Sequence, residues 1–222
     1  MDSSARTRLS SITSKVIMAL AGLFLAVFLV VHLGINLLLL VDDGGRSFSA
    51  AAYFMATNPV IRISEVLLFG GFLIHMAFGV LVSIRNRSSR PVRYQHKSQT
   101  ETSPFSKYMF HTGIVVFIFL ALHFVDYYFV KIGLVAPPAG IEQHDFYNRS
   151  LLLFADKGRS GIYLIGFLFL GFHLNHAIQA GFQTLGLNHS KYTGIIKVTS
   201  ILYAIIVSGG FMVIPFWFMF FR

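Results

Sequence analysis

Residues 27–40, VFLVVHLGINLLLL, place one histidine, His32, inside an otherwise apolar run. Three later stretches repeat the arrangement, with His75 in GGFLIHMAFG (70–79), His123 in FIFLALHFVD (117–126) and His173 in GFLFLGFHLNHA (166–177). An imidazole inside a bilayer needs a partner, and an ionisable residue there is by default a functional one. Four such histidines, spaced about one membrane crossing apart, predict two sites with two imidazole ligands each.

The composition of the chain indicates a membrane protein. Of its 222 residues 55% are hydrophobic and only 12% are charged, which is too apolar for an ordinary soluble domain of this length. The absence of cysteine excludes thiolate-bound iron–sulfur clusters, disulfides and covalent CxxCH haem attachment within this chain. The net charge of +9 lies mainly in short loops between apolar runs, which favours a membrane topology over nucleic-acid binding.

The apolar runs predict an all-α protein, an integral membrane bundle of five transmembrane helices that forms a single domain over residues 1–222. Each span is long enough to cross about 30 Å of hydrocarbon, and the first is too long for a signal peptide. The third span begins near Ser103-Pro104-Phe105, which either caps the helix or opens an interfacial turn. We place the spans near residues 15–41, 60–84, 107–131, 160–186 and 194–221.

Loop charges predict that the N-terminus is cytoplasmic. With that orientation eleven Lys and Arg residues lie in inner segments and seven in outer segments, in the direction of the positive-inside rule. The largest basic segment, Arg85–Lys107, then lies on the inner side. We therefore expect a multi-pass membrane protein whose N-terminus lies on the inner side.

Depth along the spans pairs the four histidines. At 1.5 Å per residue, His32 and His123 lie roughly 11–14 Å below the outer surface, and His75 and His173 lie deeper. We therefore expect His32 and His123 to hold an outer haem iron and His75 and His173 an inner one, because neutral imidazole is a good axial ligand and cysteine is absent. Two non-covalent b-type haems would form an electron path across the membrane. The competing interpretation for each histidine is a hydrogen bond to a neighbouring helix.

Other residues near the predicted ligands leave alternatives open. Gly79 and Ala177, each four residues after a predicted ligand, either admit a flat macrocycle or simply pack helices. His176 lies three residues after His173 and competes with it as the ligand. His111 is a candidate for propionate or quinone contact, or else makes a helix-end hydrogen bond. We interpret the loop histidines as surface residues; they are His96, His144 and His189.

The chain resembles the five-helix, di-haem cytochrome b membrane subunit of succinate:quinone oxidoreductases and fumarate reductases. The resemblance covers nearly the whole chain and is carried by the order and spacing of four motifs: HLGIN (32–36), HMAFG (75–79), TGIVVFIFLALH (112–123) and FHLNHAIQAGFQTLG (172–186). It implies axial ligands on the first four spans and none on the fifth, and it favours His173 over His176.

The resemblance also implies partners and a reaction. A flavoprotein that interconverts succinate and fumarate, together with an iron–sulfur protein, would dock on the cytoplasmic face, where the basic loop is a candidate surface. This chain would then exchange electrons with a membrane quinone, and the family suggests menaquinone. Candidates for binding the quinone and moving its protons are Asp126, one turn after His123, and the pair Arg62 and Glu65. Their alternative role is in helix-end ion pairs, Asp126 with Lys131 or a neighbouring arginine.

Two other classes of protein also use histidines within a membrane. A cytochrome b subunit of a hydrogenase or formate dehydrogenase expects two haem ligands on one helix, for which His173 and His176 have the wrong spacing. A non-redox metal transporter favours carboxylates beside the histidines at mid-membrane depth, and the spans hold almost none.

Overall fold

A computed structural model describes residues 10–88, 104–187 and 189–221, and every regular element in them is helical. The five long helices are α1 (Ser11–Leu37), α3 (Pro59–Ser88), α4 (Pro104–His123), α7 (Lys157–Thr184) and α8 (Ser190–Phe221). The three short helices are α2 (Arg46–Thr57), α5 (Phe129–Lys131) and α6 (Phe146–Ala155). A 3₁₀ turn (Leu38–Leu40) follows α1, and a π-helical turn (Phe124–Tyr128) joins α4 to α5.

Five segments are long and apolar enough to cross a membrane: Ser11–Leu40, Pro59–Asn86, Tyr108–Lys131, Lys157–Thr184 and Ser190–Phe221. The prediction of an all-α, multi-pass membrane protein is therefore confirmed, and each span lies within a few residues of its predicted position. The first helix begins earlier than predicted because the Ser10 hydroxyl caps it, accepting a hydrogen bond from the Thr13 N–H at 3.1 Å. The cytoplasmic position of the N-terminus stays a prediction.

At the start of the third span the structure has a helix start and not an interfacial turn. Helix α4 begins at Pro104, and proline suits the first helical position because its missing N–H has no partner there in any helix. Ser103 lies outside the described residues. Most of the predicted inner basic loop also lies outside them, including Arg90, Arg93, His96 and Lys97, as do the terminal residues Arg6, Arg8 and Arg222. The side chains of Arg87 and Lys107 are not described either.

Two connections contain short helices that the sequence did not predict. Helix α2 lies between the first two spans, and α6 lies between the third and the fourth; these two helices contact one another. We call the end of the bundle that they cover the cap end, and the opposite end, where α1 begins, the base. Gly45 allows the close approach, because its φ of 83° suits glycine and an added Cβ would lie 2.5 Å from the Tyr147 ring.

Helix α7 lies at the centre of the bundle and packs against α8, α4 and α1. Small residues on α7 permit this contact: a Cβ added at Gly166 would lie 2.3 Å from the Phe119 ring, and one at Gly171 would lie 2.8 Å from Ser208 Oγ. The Ser208 hydroxyl donates to the Phe167 carbonyl at 2.5 Å, which joins α8 to α7. Lipid tails supply no hydrophobic drive between helices, so such close packing and hydrogen bonding hold the bundle together.

Candidate functional site

The structure brings His32 and His123 together near the cap end. Their rings, from α1 and the end of α4, lie 5.9 Å apart between centroids and are nearly perpendicular, at 79°. This is the pair that depth along the spans predicted as the outer one. We call it the cap-end pair.

The structure also brings His75 of α3 and His173 of α7 together, with ring centroids 6.3 Å apart and an interplanar angle of 89°. The pairing again follows the prediction from depth, and we call it the base-end pair. His75 Nδ1 lies 3.1 Å from the Met18 carbonyl, so the ring donates Nδ1–H and keeps the Nε2 lone pair available. His173 Nδ1 lies 3.4 Å from Thr112 Oγ1, and that hydroxyl donates to the Met109 carbonyl and therefore accepts from the ring.

Two glycines show how far apart the pairs lie. A Cβ added at Gly22 of α1 would be 2.9 Å from His75 Cε1, and one at Gly113 of α4 would be 3.4 Å from His173 Cε1. Each glycine precedes a cap-end histidine on its own helix by ten residues, which corresponds to about 15 Å of helix length. Helices α1 and α4 therefore carry a glycine at the level of one pair and a ligand candidate at the level of the other.

Gly79, one of the two small residues expected to admit a macrocycle, does not adjoin an imidazole in the structure, and its role stays a prediction. A Cβ added at Gly79 would meet Met18 Sδ at 3.9 Å, which is an ordinary contact. The glycines that adjoin the imidazoles come instead from the facing helices. Sequence spacing along a single helix could not identify them.

The donor set fits an iron with two axial imidazoles. With a metal–nitrogen bond of about 2 Å and about 1 Å from each ligating nitrogen to its ring centre, ring centroids on opposite sides of one metal should lie about 6 Å apart. Both observed separations agree with this value. Within the described residues no three or more His, Asp or Glu side chains gather as a metal-ion site, so each pair consists of two imidazoles without a nearby carboxylate cluster.

Aromatic rings surround the cap-end pair. Phe28 stacks on His32 with centroids 5.2 Å apart and an interplanar angle of 18°, and Phe211 lies 5.7 Å from the same ring. On the other side Tyr127 and Tyr163 lie 5.2 and 6.2 Å from His123. This environment presents flat apolar surfaces to the half-buried imidazoles, as a macrocycle site requires.

Asp126 lies on the π-helical turn directly after His123 and is only 8% exposed. Its Oδ1 accepts from Arg159 Nη2 at 2.6 Å, and its Oδ2 accepts from the Tyr163 hydroxyl at 2.8 Å. Of the two roles considered for this residue, the ion pair with a neighbouring arginine is the one that the structure contains. Both oxygens are engaged, so Asp126 holds Tyr163 against His123.

Glu65 borders a pocket at the cap end whose volume is about 540 Å³. Its partner is Lys131, with Nζ 2.7 Å from Oε2, and each side chain is about one quarter exposed. Arg62 also lines the pocket, but its Nε donates to the Ala56 carbonyl at 3.3 Å. The ion pair considered for Arg62 and Glu65 is therefore not formed, and Glu65 pairs with Lys131 instead. His144, which we interpreted as an ordinary surface residue, lines the same pocket.

His111 and His176, the two other histidines considered as candidates, belong to neither pair. His173, and not His176, is the residue whose ring contacts His75, in agreement with the assignment favoured by the resemblance. His111 is exposed near the base, with its ring 6.0 Å from that of Tyr108 and 6.3 Å from that of Phe110.

Arg149 is a residue that sequence reasoning did not single out. It lies on the cap helix α6, is only 2% exposed, and donates from Nη2 to the Gln143 carbonyl at 3.0 Å. Burial lowers the pKa of its guanidinium, and the nearby Tyr127 and Asp145 oppose that effect. Arginines are common in polar connections between spans, so the sequence gives no sign that the side chain of Arg149 is buried.

Comparisons with protein-family models, with curated proteins and with solved structures found no match to this chain. The two histidine pairs and the pocket at the cap end are the features of the molecule that bear on function.

Proposed function

We propose that this chain is a di-haem b-type membrane cytochrome, with His32 and His123 as the axial ligands of one haem and His75 and His173 as those of the other. The observation that carries the proposal is the arrangement of four imidazoles as two pairs. Each of four helices contributes one ring, and the pairs lie at different levels of an apolar bundle. Bundle cores build cofactor sites from facing helices in this way.

Haem supplies reversible one-electron chemistry when bound. The two histidine pairs of this chain would hold the two groups at separate depths, between the cap end and the base. Neutral imidazoles suit this task because they ligate without adding charge to a low-dielectric interior. Hydrogen bonding of His75 Nδ1 to the Met18 carbonyl fixes the tautomer and the ring orientation, as outer partners of ligating histidines do.

The pocket at the cap end is the proposed quinone site. Its mixed lining suits a quinone, since Phe69 and Tyr128 offer ring faces while Arg62, His144 and Lys131 offer hydrogen-bond donors. Phe69 and Tyr128 both contact Phe124, the residue after His123, so the pocket adjoins the cap-end pair. A quinol oxidised here would release two electrons and two protons, and the cap-end pair would hold the haem that lies nearest to receive the electrons one at a time.

Glu65 is the proposed proton acceptor of this site. Its carboxylate borders the pocket and is held by Lys131, and it remains partly open to water, to which it can pass a proton onward. Asp126 is less suited to that role because Arg159 and Tyr163 engage both of its oxygens in a buried position. We therefore assign Glu65 to proton transfer and Asp126 to positioning.

The larger assembly follows from the resemblance rather than from the fold. The chain would be the membrane anchor and electron-transfer subunit of a succinate dehydrogenase, a succinate:quinone oxidoreductase that can also run as a fumarate reductase. A flavoprotein subunit and an iron–sulfur subunit would bind on the cytoplasmic face of a bacterial membrane, at the base, with menaquinone at the cap end. Electrons would then pass between the iron–sulfur partner and the quinone through the two haems.

The alternatives have less support. A hydrogenase or formate dehydrogenase cytochrome would use two ligands from one helix, whereas these pairs draw on four helices. A metal transporter would need carboxylates beside the imidazoles, and the described residues contain no such cluster.

The visible spectrum and the haem-to-chain ratio of the purified full-length protein test the proposal. Two b-type centres per chain are expected, and a protein that binds no haem when expressed in a haem-producing host would overturn it. His111→Ala is the matched control, since it removes a histidine of the same span as His123 without touching either pair.

A further inference from the structure

Arg149 presents two buried nitrogens that have no hydrogen-bond partner. Nε and Nη1 are both shielded from solvent, and no described residue accepts a hydrogen bond from either. Nη2 is satisfied by the carbonyls of Gln143 and Glu142, at 3.0 and 3.5 Å, and the Phe146 ring lies 5.5 Å from the guanidinium carbon. A buried charged donor left without an acceptor is strongly unfavourable, so this arrangement calls for an explanation.

Asp145 lies near enough to stabilise the charge of Arg149, but no described carboxylate forms an ion pair with it. The two ion pairs among the described residues are Lys131 with Glu65 and Arg159 with Asp126. Asp145, four residues before Arg149, instead caps α6 by accepting from the Asn148 N–H and from its side-chain amide. Buried charges in proteins are normally paired, so the missing partner is an anion.

The position of Arg149 indicates which anion this is. The next residue, Ser150, contacts the Tyr127 hydroxyl at 3.0 Å, and the Tyr127 ring lies 5.2 Å from His123. Ser150 is therefore two contacts away from the cap-end pair, and Arg149 is its neighbour on α6, one of the two short helices that cover this end. At 2% exposure Arg149 is poorly placed to reach a lipid headgroup.

We propose that Nε and Nη1 of Arg149 bind the propionate carboxylates of the haem held by the cap-end pair. The inference rests on the proposed function and extends it to a residue that neither ligates iron nor lines the quinone pocket. Arginine suits the role because it stays charged when buried and makes strong hydrogen bonds to carboxylate. The same chemistry could bind a phosphate of a trapped lipid, which the experiment separates from a propionate.

The test uses the full-length chain in detergent, reconstituted either with haem b or with its dimethyl ester, which lacks propionate charge. The variants are Arg149→Gln, Arg149→Lys and the surface control Arg46→Gln on the neighbouring helix α2. Each is repeated in a His75→Ala background, which keeps only the cap-end centre. The readouts are haem stoichiometry, the midpoint potential of each centre and the thermal unfolding of the haem-free chain.

With haem b, Arg149→Gln should lower the midpoint potential of the cap-end centre and speed the loss of its haem. Removal of the positive charge leaves the propionates uncompensated and favours ferric iron. Arg149→Lys should give a smaller shift, and Arg46→Gln none. With the dimethyl ester, the unmodified protein and Arg149→Gln should behave alike.

Three results would overturn the inference. One is an unchanged cap-end centre in an Arg149→Gln protein that keeps two haems. Another is an effect of equal size with the dimethyl ester, which would point to a lipid phosphate or a purely structural arginine. The third is the absence of haem from the unmodified chain. Of the three results, only this one would overturn the proposed function as well.

Discussion

The two histidine pairs are alike in ligand chemistry and differ in what surrounds them. The cap-end pair is enclosed by the rings of Phe28, Phe211 and Tyr127 and lies beneath two short helices. The base-end pair is held by the Met18 carbonyl and the Thr112 hydroxyl, and glycines of facing helices adjoin its rings. Environment tunes a metal centre as much as its ligands do. The comparison therefore predicts two centres with separate potentials and separate sensitivities to mutation.

Replacing one ligand should have the largest effect, the loss of one centre. His123→Ala should remove the cap-end haem and leave the base-end one, and His173→Ala should do the reverse, because the pairs share no ligand. Haem content and the low-temperature absorption spectrum measure this. His176→Ala is the matched control on the same helix and should keep both centres. If the His173→Ala protein keeps both haems while the His176→Ala protein loses one, the base-end assignment is wrong.

The second-largest effect should come from removing the proposed proton acceptor at the cap end of the bundle. Glu65→Gln removes the proposed proton acceptor, and loss of such a group typically costs about 10²- to 10⁴-fold in rate. We expect a slowing of that order in the reduction of the haems by a menaquinol analogue, with both spectra intact. The stopped-flow absorbance of the purified chain measures it.

Asp126→Asn is the control for Glu65→Gln, because it changes a carboxylate of the same end that Arg159 and Tyr163 already engage. We expect a lower melting temperature with the rate largely retained. A rate that falls for Asp126→Asn and stays normal for Glu65→Gln would exchange the roles assigned to these two acids.

An added methyl group should distinguish the pairs on steric grounds. In Gly22→Ala the new Cβ would lie 2.9 Å from His75 Cε1, and overpacking of this kind costs about 1–3 kcal/mol. We expect weaker haem binding at the base-end pair alone, by about 5- to 150-fold. Gly34→Ala on the same helix is the control, because nothing lies within 4 Å of its added Cβ. Equal haem affinities in the two variants would show that the glycine contact does not matter.

The smallest effect concerns one hydrogen bond. Thr112→Val removes the acceptor that lies 3.4 Å from His173 Nδ1, a long contact worth about 0.5–1 kcal/mol. A ligand that no longer donates this hydrogen bond is less basic, so the base-end potential should rise slightly while the cap-end potential stays constant. Redox titration measures both, and Thr112→Ser should restore the original value. A fall in potential, or an equal shift at both centres, contradicts this account.

The sequence predicted the spans and the pairing for one physical reason. A rigid helix rises 1.5 Å per residue, so residue number along an apolar run converts directly to depth. Depth then separated His32 and His123 from His75 and His173 without any knowledge of how the helices pack. The structure brings the same residues together in pairs, while their ligation of iron stays a prediction.

Lateral contacts could not be predicted in the same way. Spans that are apolar on every face do not reveal which side meets which neighbour. The partnership of Glu65 with Lys131 joins residues 66 positions apart, and that of Asp126 with Arg159 joins residues 33 apart. The inward turn of Arg149 depends on α6, a short helix in a segment that sequence reasoning read only as a connection.

The two histidine pairs come from alternate spans, and this fixes the order in which they can form during membrane insertion. Chains emerge and insert from the N-terminus, and the first and third spans together complete the cap-end pair. The base-end pair needs the second and fourth spans and so becomes available later. The fifth span carries no histidine. If the chain binds haem as proposed, its first haem could bind before the last two spans are made, and each haem would then join an earlier span to a later one.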